Sequence, residues 1–327
     1  MICSKRLMVI KLKIIKLFKR WFDMLTGKSV FHVKQGIGKY YSKTELKGYY
    51  NDLTGKVSPK TKLDENDIPV TTTIAGISGH FPIAIFQYGL GLYDIYLEKN
   101  SKEYLNSFIK ISNWAVDNIK ETGMWECMGV LNDSKHFTQS SMCQSEGVSV
   151  LLRAYIETKD KKYLDTAKKA IEFMIKDVND GGTCLYNNKE TIFQEYVSSD
   201  NISVLNGWVF SIFGLYDYVI FSKEKNYEKI LKDTINSLAK NLKYYDRKYW
   251  SNYDQKKTIA SPAYHDIHIM QLELLYDLFG KQEFKDYSDK FKKYQNNFIF
   301  KIIAMVVKFK QKIFKNKYYD INTSTVG

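Results

Sequence analysis

A segment that recurs four times most constrains the fold of this 327-residue chain. Aligned tyrosines mark the repeats, at Tyr93, Tyr155, Tyr216 and Tyr276, with spacings of 62, 61 and 60 residues. Each repeat reads as the end of an apolar helix, a short polar turn and the start of a more amphipathic helix. Repetition at a fixed period indicates supersecondary units that stack and bury a shared core. The sequence therefore predicts four helical hairpins.

The first helix of each hairpin is apolar nearly all round, as in PIAIFQYGLGLYDIYL and NGWVFSIFGLYDYVIF. Such helices should form an inner wall behind charged outer helices. We therefore predict a mainly α fold, an incomplete (α/α)4 toroid, over residues 81–291. An open solenoid is the alternative, although such arrays usually need polar caps at both ends. Long loops precede the inner helices and should carry function at one mouth, roughly at residues 68–81, 121–142, 181–203 and 245–263.

Residues 35–80 form a separate segment that is rich in Gly, Thr and Tyr and has no helical period. The pattern predicts one or two short β-hairpins, with turns near residues 51–55 and 58–61. The glycine pairs of the chain do not join a strand to a helix in a βαβ unit, so we find no dinucleotide fingerprint. No cofactor is predicted.

The net charge of +13 is concentrated in the two ends, because residues 1–34 carry +8 and residues 292–327 carry +7. The remaining residues, 35–291, carry −2, so we expect no nucleic-acid partner. Both ends alternate apolar and basic residues at helical spacing, which favours helices lying on an anionic membrane surface. Packing of both helices on the domain is the alternative.

Lysines at positions 11, 13 and 16 interrupt any secretory or membrane-spanning apolar run near the N-terminus. We therefore expect a cytoplasmic protein, peripheral at the inner face of the membrane, which would suit work on a growing capsule or lipid-linked chain. A homodimer is a further candidate assembly.

Three clusters in the predicted loops could carry chemistry, namely Glu195 with Tyr196, Tyr253 with Asp254, and Tyr264 with His265 and His268. A cleft of Tyr, Trp, Asn and Gln is what a carbohydrate site needs, because sugars present apolar faces ringed by hydroxyls. The two histidines could share a metal, but no third ligand is visible. We predict no metal site.

Six segments, in order, resemble the D-glucuronyl C5-epimerases that convert glucuronate to iduronate in heparosan-type chains. They are GYYNDLTGK, FPIAIFQYGLGLYD, SMCQSEGVSVLLRAYIETKD, FQEYVSSDNISVLNGWVFSIFGLYD, NYDQKK and SPAYHDIHIMQLELL. The resemblance covers about residues 48–280 and is strongest at 141–217 and 253–276. Animal members insert a β-sandwich after the first inner helix, whereas here residues 97–100 pass straight on, as in a form that lacks that domain.

The resemblance implies a toroid with the hairpin segment 35–80 over the mouth, acting on an acidic polysaccharide without a nicotinamide cofactor. The catalytic tyrosines of the family correspond to Tyr196, Tyr253 and Tyr264, and its neighbouring glutamate to Glu195. Its arginine after the second tyrosine is absent, and Lys256 or Lys257 stands near. We expect the substrate-binding residues to be Lys256, Lys257, His265, Asn206, Gln144, Tyr88, Trp125 and Tyr50.

Inversion at C5 requires proton removal from one face of the sugar and delivery to the other. We expect Tyr264 and Tyr196 on opposite faces, with Glu195 assisting proton removal. Tyr253 with Lys256 or His265 would neutralise the substrate carboxylate. The alternatives are a uronate lyase, which shares the first step, a glycoside hydrolase using two of Glu195, Asp200 and Asp254, and a non-catalytic sugar-binding protein at a membrane surface.

Overall fold

A computed structural model describes residues 33–72, 76–128, 138–187 and 189–314, together with Lys19. Most of the predicted basic segment 1–34 and all of residues 315–327 therefore lie outside the described residues. Helices dominate what is described. In chain order they are α1 Pro82–Lys99, α2 Lys102–Asn118, α3 Ser141–Thr158, α4 Lys161–Ile175, α5 Leu205–Ser222, α6 Lys225–Asn241, α7 Pro262–Phe279, α8 Gln282–Asn296 and α9 Phe298–Phe314.

The four predicted hairpins are α1–α2, α3–α4, α5–α6 and α7–α8, and the predicted mainly α fold is confirmed. The odd-numbered helices α1, α3, α5 and α7 pack in sequence as an inner wall, and each is covered by its partner. The inner helices are buried on nearly every side, whereas the outer ones bury a single stripe. This difference follows from the all-round apolar sequence of the inner helices.

Every hairpin turns in the same way. The residue that ends each inner helix has a left-handed backbone, with φ between 48° and 67°. These residues are Asn100, Lys159, Lys223 and Gly280. A left-handed residue closes the last helical turn and reverses the chain, which lets the outer helix pack back on the inner one.

Among the described residues there are also two short antiparallel hairpins. Strands β1 (Thr71–Thr72) and β2 (Ser78–Gly79) pair just before α1, within the segment where hairpins were predicted. Strands β3 (Cys184–Asn187) and β4 (Glu190–Phe193) pair within what the sequence indicated only as a long loop. Short 3-10 turns in the described ranges lie at Thr54–Lys56, Val178–Asp180 and Leu242–Tyr245. Among the described helices, none is both long and apolar enough to cross a membrane.

Residues 39–57 fill the inside of the ring, and we call them the plug. The plug crosses the C-terminal halves of all four inner helices, where it contacts Asp94, Arg153, Asp217 and Asp277. The C-terminal part of the plug packs closely on α1. A Cβ on Gly91 of α1 would lie only 2.4 Å from the Leu53 carbonyl oxygen. The resemblance led us to expect this segment over the mouth. Gln35 and Lys56 of that segment reach the N-terminal ends of the inner helices, and the residues between them extend to the C-terminal halves.

A fully buried ion pair fastens the plug. The Arg153 guanidinium of α3 lies 2.6 Å from Asp217 of α5 and donates to the plug carbonyls of Lys47 and Gly48. Asp217 also accepts a hydrogen bond of 2.8 Å from the Tyr50 hydroxyl. Two inner helices and the plug therefore share one charged junction in the core.

Removing one partner of this pair should be costly, because it leaves the other charge buried without compensation. We expect Asp217→Ala to lower the free energy of unfolding by about 3–5 kcal/mol. Asp233→Ala, which breaks the exposed Lys229–Asp233 pair, should cost less than about 1 kcal/mol. Urea unfolding of the two variants makes the comparison. Equal losses would contradict a structural role for the buried pair.

Candidate active site

A cleft opens among the N-terminal ends of the inner helices, the end at which the predicted functional loops gather. It encloses about 600 Å³, including space open to solvent. All four inner helices contribute to its walls. The described residues that line it are Val33, Gln35, Lys56, Phe81, Ile83, Ala84, Gln87, Met142, Glu195, Tyr196, Asn206, Phe210, Tyr264 and Ile267.

Glu195 and Tyr196 reach the cleft because they follow β4 and Gln194, whose backbone is hydrogen-bonded to the start of α3. The carbonyl of Gln194 accepts hydrogen bonds from the backbone and hydroxyl of Ser141, at the start of α3. The Glu195 side chain then packs against the first turn of α5, where a Cβ on Gly207 would lie 2.3 Å from Oε2 of Glu195. Glycine at this position is therefore needed for the carboxyl group to sit where it does.

Tyr253, from the loop before α7, and Tyr264, in the first turn of α7, join this pair. The Tyr253 carbonyl accepts from the backbone N–H of Leu205, which fixes the loop on the start of α5. Its hydroxyl lies 3.5 Å from Oε1 of Glu195, and its ring meets that of Tyr264 edge to face at 4.9 Å. Three tyrosines distant in sequence are thus brought together around one carboxyl group.

Burial controls the protonation of this cluster. Loss of solvation raises the pKa of Glu195 to about 8, although hydrogen bonds from Tyr196 and Tyr253 oppose the shift. Burial, together with the nearby Glu195 charge, raises the pKa of Tyr196 and Tyr253 well above 10. Both tyrosines therefore hold their protons at neutral pH, and Glu195 loses its proton only near pH 8.

The opposite wall carries a second polar group that sequence reasoning missed. Glu146 of α3 is fully buried and accepts a hydrogen bond of 2.9 Å from Gln87 of α1, which lines the cleft. Burial raises the pKa of Glu146 well above its usual range. Burial also lowers the pKa of Lys56, while the Glu146 charge acts against that shift. Of the described lining residues, Lys56 is the only one with a cationic side chain.

A signal for these three residues did exist. Gln87 and Glu146 are polar residues on inner helices, and a polar group buried in an inner wall needs a partner or a function. Lys56 ends the segment GYYNDLTGK, one of the six that carry the family resemblance. Its position became visible only with the path of the plug.

The predicted lysines Lys256 and Lys257 lie outside the cleft. Both are exposed, and Lys256 pairs with Asp200. The Lys257 carbonyl accepts from Arg247 and Gln311, so its backbone fixes the loop. The cation that lines the cleft is Lys56 from the plug.

His265 is fully buried and has a packing role. Its ring stacks on Trp250 at 3.7 Å, and the Ser251 hydroxyl lies 2.8 Å from Nδ1 of both His265 and His268. Burial lowers the pKa of His265 to about 3, so the ring stays neutral. This network ties the loop of Tyr253 to the helix of Tyr264. In the described part of the chain, no three His, Cys, Asp or Glu side chains are grouped to hold a metal ion.

Of the other predicted substrate-binding residues, only Asn206 lines the cleft. Trp125 is buried and donates to the Ala115 carbonyl, with Gln144 buried beside it. Tyr50 belongs to the Arg153–Asp217 junction. Tyr88 is half-buried, with Asp67 and Tyr104 as its ionisable neighbours. These four side chains stabilise the fold around the site.

Several buried oxygens at the cleft lack a hydrogen-bond donor among the described residues. They are Oδ1 of Asn206 and Oε2 of Glu195, with Oε2 of Glu146 behind Gln87. Each unmet acceptor costs about 1–3 kcal/mol. A ligand rich in hydroxyl groups would supply the missing donors.

Comparison with known proteins agrees with this arrangement. The family described as D-glucuronyl C5-epimerase C-terminus matches residues 120–293, which include Glu195 and all three clustered tyrosines. The chain belongs to the D-glucuronyl C5-epimerase family. The predicted family is thereby confirmed, and the predicted class of carbohydrate isomerase is supported.

Curated relatives of the family include a D-glucuronyl C5-epimerase from Caenorhabditis elegans, 26% identical over 205 residues. That match covers 54% of this chain and 33% of the relative. An uncharacterized protein from Methanocaldococcus jannaschii is 28% identical over 158 residues, 47% of this chain and 51% of the relative. The matched region thus spans a third to a half of these relatives.

A solved structure, cellobiose 2-epimerase from Bacillus thermoamylovorans, is similar with a TM-score of 0.51 and 10% identity. The similarity covers 76% of this chain and 64% of that one. It is a likeness of fold, and it supports the toroid predicted from the repeats.

The protonation of Glu195 can be tested through stability. Between pH 4.5 and about 8, the folded chain keeps a proton on Glu195 that the unfolded chain releases. Stability relative to Glu195→Gln should therefore fall as pH rises through this window and level off above it. Urea unfolding across the pH range measures both proteins.

Glu121→Gln is the control, because it removes a carboxyl group at an exposed position. Curves for wild type and Glu195→Gln that stay parallel from pH 4.5 to 8 would contradict the raised pKa.

Proposed function

We propose that this protein is a polysaccharide C5-epimerase that converts D-glucuronate to L-iduronate residues in a heparosan-like chain. The observation that carries the proposal is the cleft itself. Tyr196, Tyr264 and Glu195 share it with a single described cation, Lys56. Family membership supports the same reaction class.

The proposed reaction breaks and remakes one C–H bond. A base removes the C5 proton, and the electron pair of that bond spreads onto the adjacent carboxylate as an enolate-like intermediate. Tyr196 and Tyr264 then serve opposite faces of the sugar, so that one face loses a proton and the other receives one. On the first face the tyrosine passes its hydroxyl proton to ionised Glu195 as it accepts the C5 proton. On the second face the other tyrosine gives its proton to C5 and regains one from Glu195 through solvent, so the protein returns to its starting state. No net electron transfer occurs, so no redox cofactor is needed.

The intermediate gathers negative charge on the substrate carboxylate, and a fixed cation beside it would lower the barrier. We assign this role to Lys56, because it lines the cleft whereas Lys256 pairs with Asp200 at the surface. An ammonium group meets a carboxylate as a point charge rather than as a fork. Tyr253, 3.5 Å from Glu195, supports the base.

A hydrolase would need two carboxylates across the scissile bond. Asp200 is exposed, and Asp254 is buried with its carboxylate accepting from the backbone of Thr258. Neither lines the cleft with Glu195. A lyase shares the first step, and its unsaturated product would distinguish it.

The test is incubation with heparosan in deuterated water, followed by NMR of the uronates. We expect deuterium at C5 together with iduronate. Tyr196→Phe and Tyr264→Phe should each lower the rate by roughly 10²–10⁴, the usual contribution of a positioned acid or base. Tyr244→Phe, which alters an exposed tyrosine, is the control.

Exchange without iduronate would mean that the second face lacks its acid and would contradict the two-tyrosine scheme. An unsaturated sugar would identify a lyase. Absence of both exchange and iduronate with the folded protein would overturn heparosan as the substrate.

A separate prediction concerns the cation. Lys56→Gln should lower kcat/KM by roughly 10- to 100-fold, the value of a charge-assisted contact of about 1.5–3 kcal/mol. Lys56→Arg should recover part of the loss because it keeps the charge. Lys60→Gln, at an exposed position four residues on, is the matched control. A loss in Lys256→Gln without one in Lys56→Gln would reverse the assignment.

A further inference from the structure

Helix α9 exposes a continuous apolar stripe. Phe298, Ile299, Ile302, Ile303 and Val306 follow helical spacing, and their exposed fractions are 75%, 65%, 45%, 38% and 48%. Five large apolar side chains on one face are costly to leave in water. Such a patch marks an interaction surface.

The other face of α9 is attached to the domain. Ala304 is buried, and Phe300 packs edge to face on Tyr294 of α8. Near its C-terminal end, the Lys308 ammonium and the Gln311 amide bond the backbone of Ile259. One face of α9 is therefore bound to the domain. The apolar stripe lies on the opposite face and is exposed to solvent.

The charge around the stripe has one sign. Helix α9 contains four lysines and no acidic residue. With 3.6 residues per turn, Lys301 falls along one edge of the stripe and Lys310 toward the other. An apolar face bordered by lysines suits an interface of fatty chains beneath anionic headgroups.

Lys34, the last residue of the basic N-terminal segment, lies on the same side. Burial raises the pKa of Asp266 to about 6, and both Lys34 and Lys301 of α9 lie close enough to oppose that rise. One lysine from each strongly basic end therefore lies near Asp266 of α7. Like charge disfavours residues 1–32 as the cover of α9, whereas an anionic surface would attract both ends.

We propose that α9, with its stripe and flanking lysines, is the surface by which the protein docks on an anionic lipid bilayer. Each lysine near such a surface adds attraction, and the apolar side chains supply affinity that salt does not screen. The docking surface is independent of the proposed reaction.

The location of α9 adds a consequence that does rest on the proposed function. Lys301, Ala304 and Met305 line a small cavity with Pro262, the first residue of α7. Tyr264, two residues later, lines the main cleft. Docking through α9 would hold this cleft beside the membrane, where surface-attached glycans are concentrated.

The test is sedimentation of the full-length protein with vesicles of phosphatidylglycerol and phosphatidylcholine, compared with pure phosphatidylcholine. We expect binding to the anionic vesicles, much weaker binding to the neutral ones, and a decline with salt. Ile302→Glu should weaken binding to the anionic vesicles by roughly tenfold or more. It removes an apolar contact with the bilayer and adds a negative charge that the anionic headgroups repel.

Leu63→Glu is the matched control. Leu63 lies outside α9 and is 41% exposed, close to the 45% of Ile302. Thermal unfolding checks that both variants fold. Unchanged vesicle binding in Ile302→Glu would overturn the proposal. A wild-type dimer in sedimentation equilibrium that Ile302→Glu converts to monomer, without loss of vesicle binding, would assign the stripe to a second copy instead.

Discussion

The buried ion pair between Arg153 and Asp217 is the constraint on which the arrangement of the site depends. It joins two inner helices and, through the carbonyls of Lys47 and Gly48, it fixes the plug inside the ring. A charge in the core is stable only with its full set of partners, so the plug cannot slide without leaving arginine donors unmet. A few residues further along, this anchored path delivers Lys56 to the cleft. A structural contact at one end of the ring thus determines the electrostatics of the other end.

The repeats predicted most of the scaffold because the sequence pattern of each repeat alone indicates a pair of helices. Apolar residues all round distinguish the inner helices from the striped outer ones, and the equal spacing of Tyr93, Tyr155, Tyr216 and Tyr276 sets the number of hairpins. Since every loop before an inner helix must open at the same end, Tyr196, Tyr253 and Tyr264 were bound to meet there. These conclusions needed only local pattern and chain connectivity.

The remaining features depend on contacts between segments far apart in sequence. Nothing local in GYYNDLTGK indicates that it passes through a ring, because its course is set by Asp94, Arg153 and Asp217 on three different helices. Proximity in sequence was also misleading for Lys256, which is near Tyr253 along the chain but pairs with Asp200 at the surface. His265 adjoins Tyr264, yet helical geometry turns it toward Trp250. A neighbour in sequence is a neighbour in the site only when the local backbone points both side chains the same way.

The charges of the cleft support the proposed acidic substrate. Near neutral pH the buried carboxyls of Glu195 and Glu146 favour their neutral forms, so the charge presented to a ligand is that of Lys56. A uronate carboxylate would meet this cation, and its neighbouring hydroxyls would meet the unpaired oxygens of Asn206 and Glu195. The same burial keeps Tyr196 protonated and therefore able to act as an acid. Under the proposed reaction Glu195 must ionise before it can take up a proton, since a neutral carboxylic acid is not a base. Low solvation thus keeps Tyr196 and Tyr253 protonated, and under the proposed reaction the ionisation of Glu195 is the step that prepares the site.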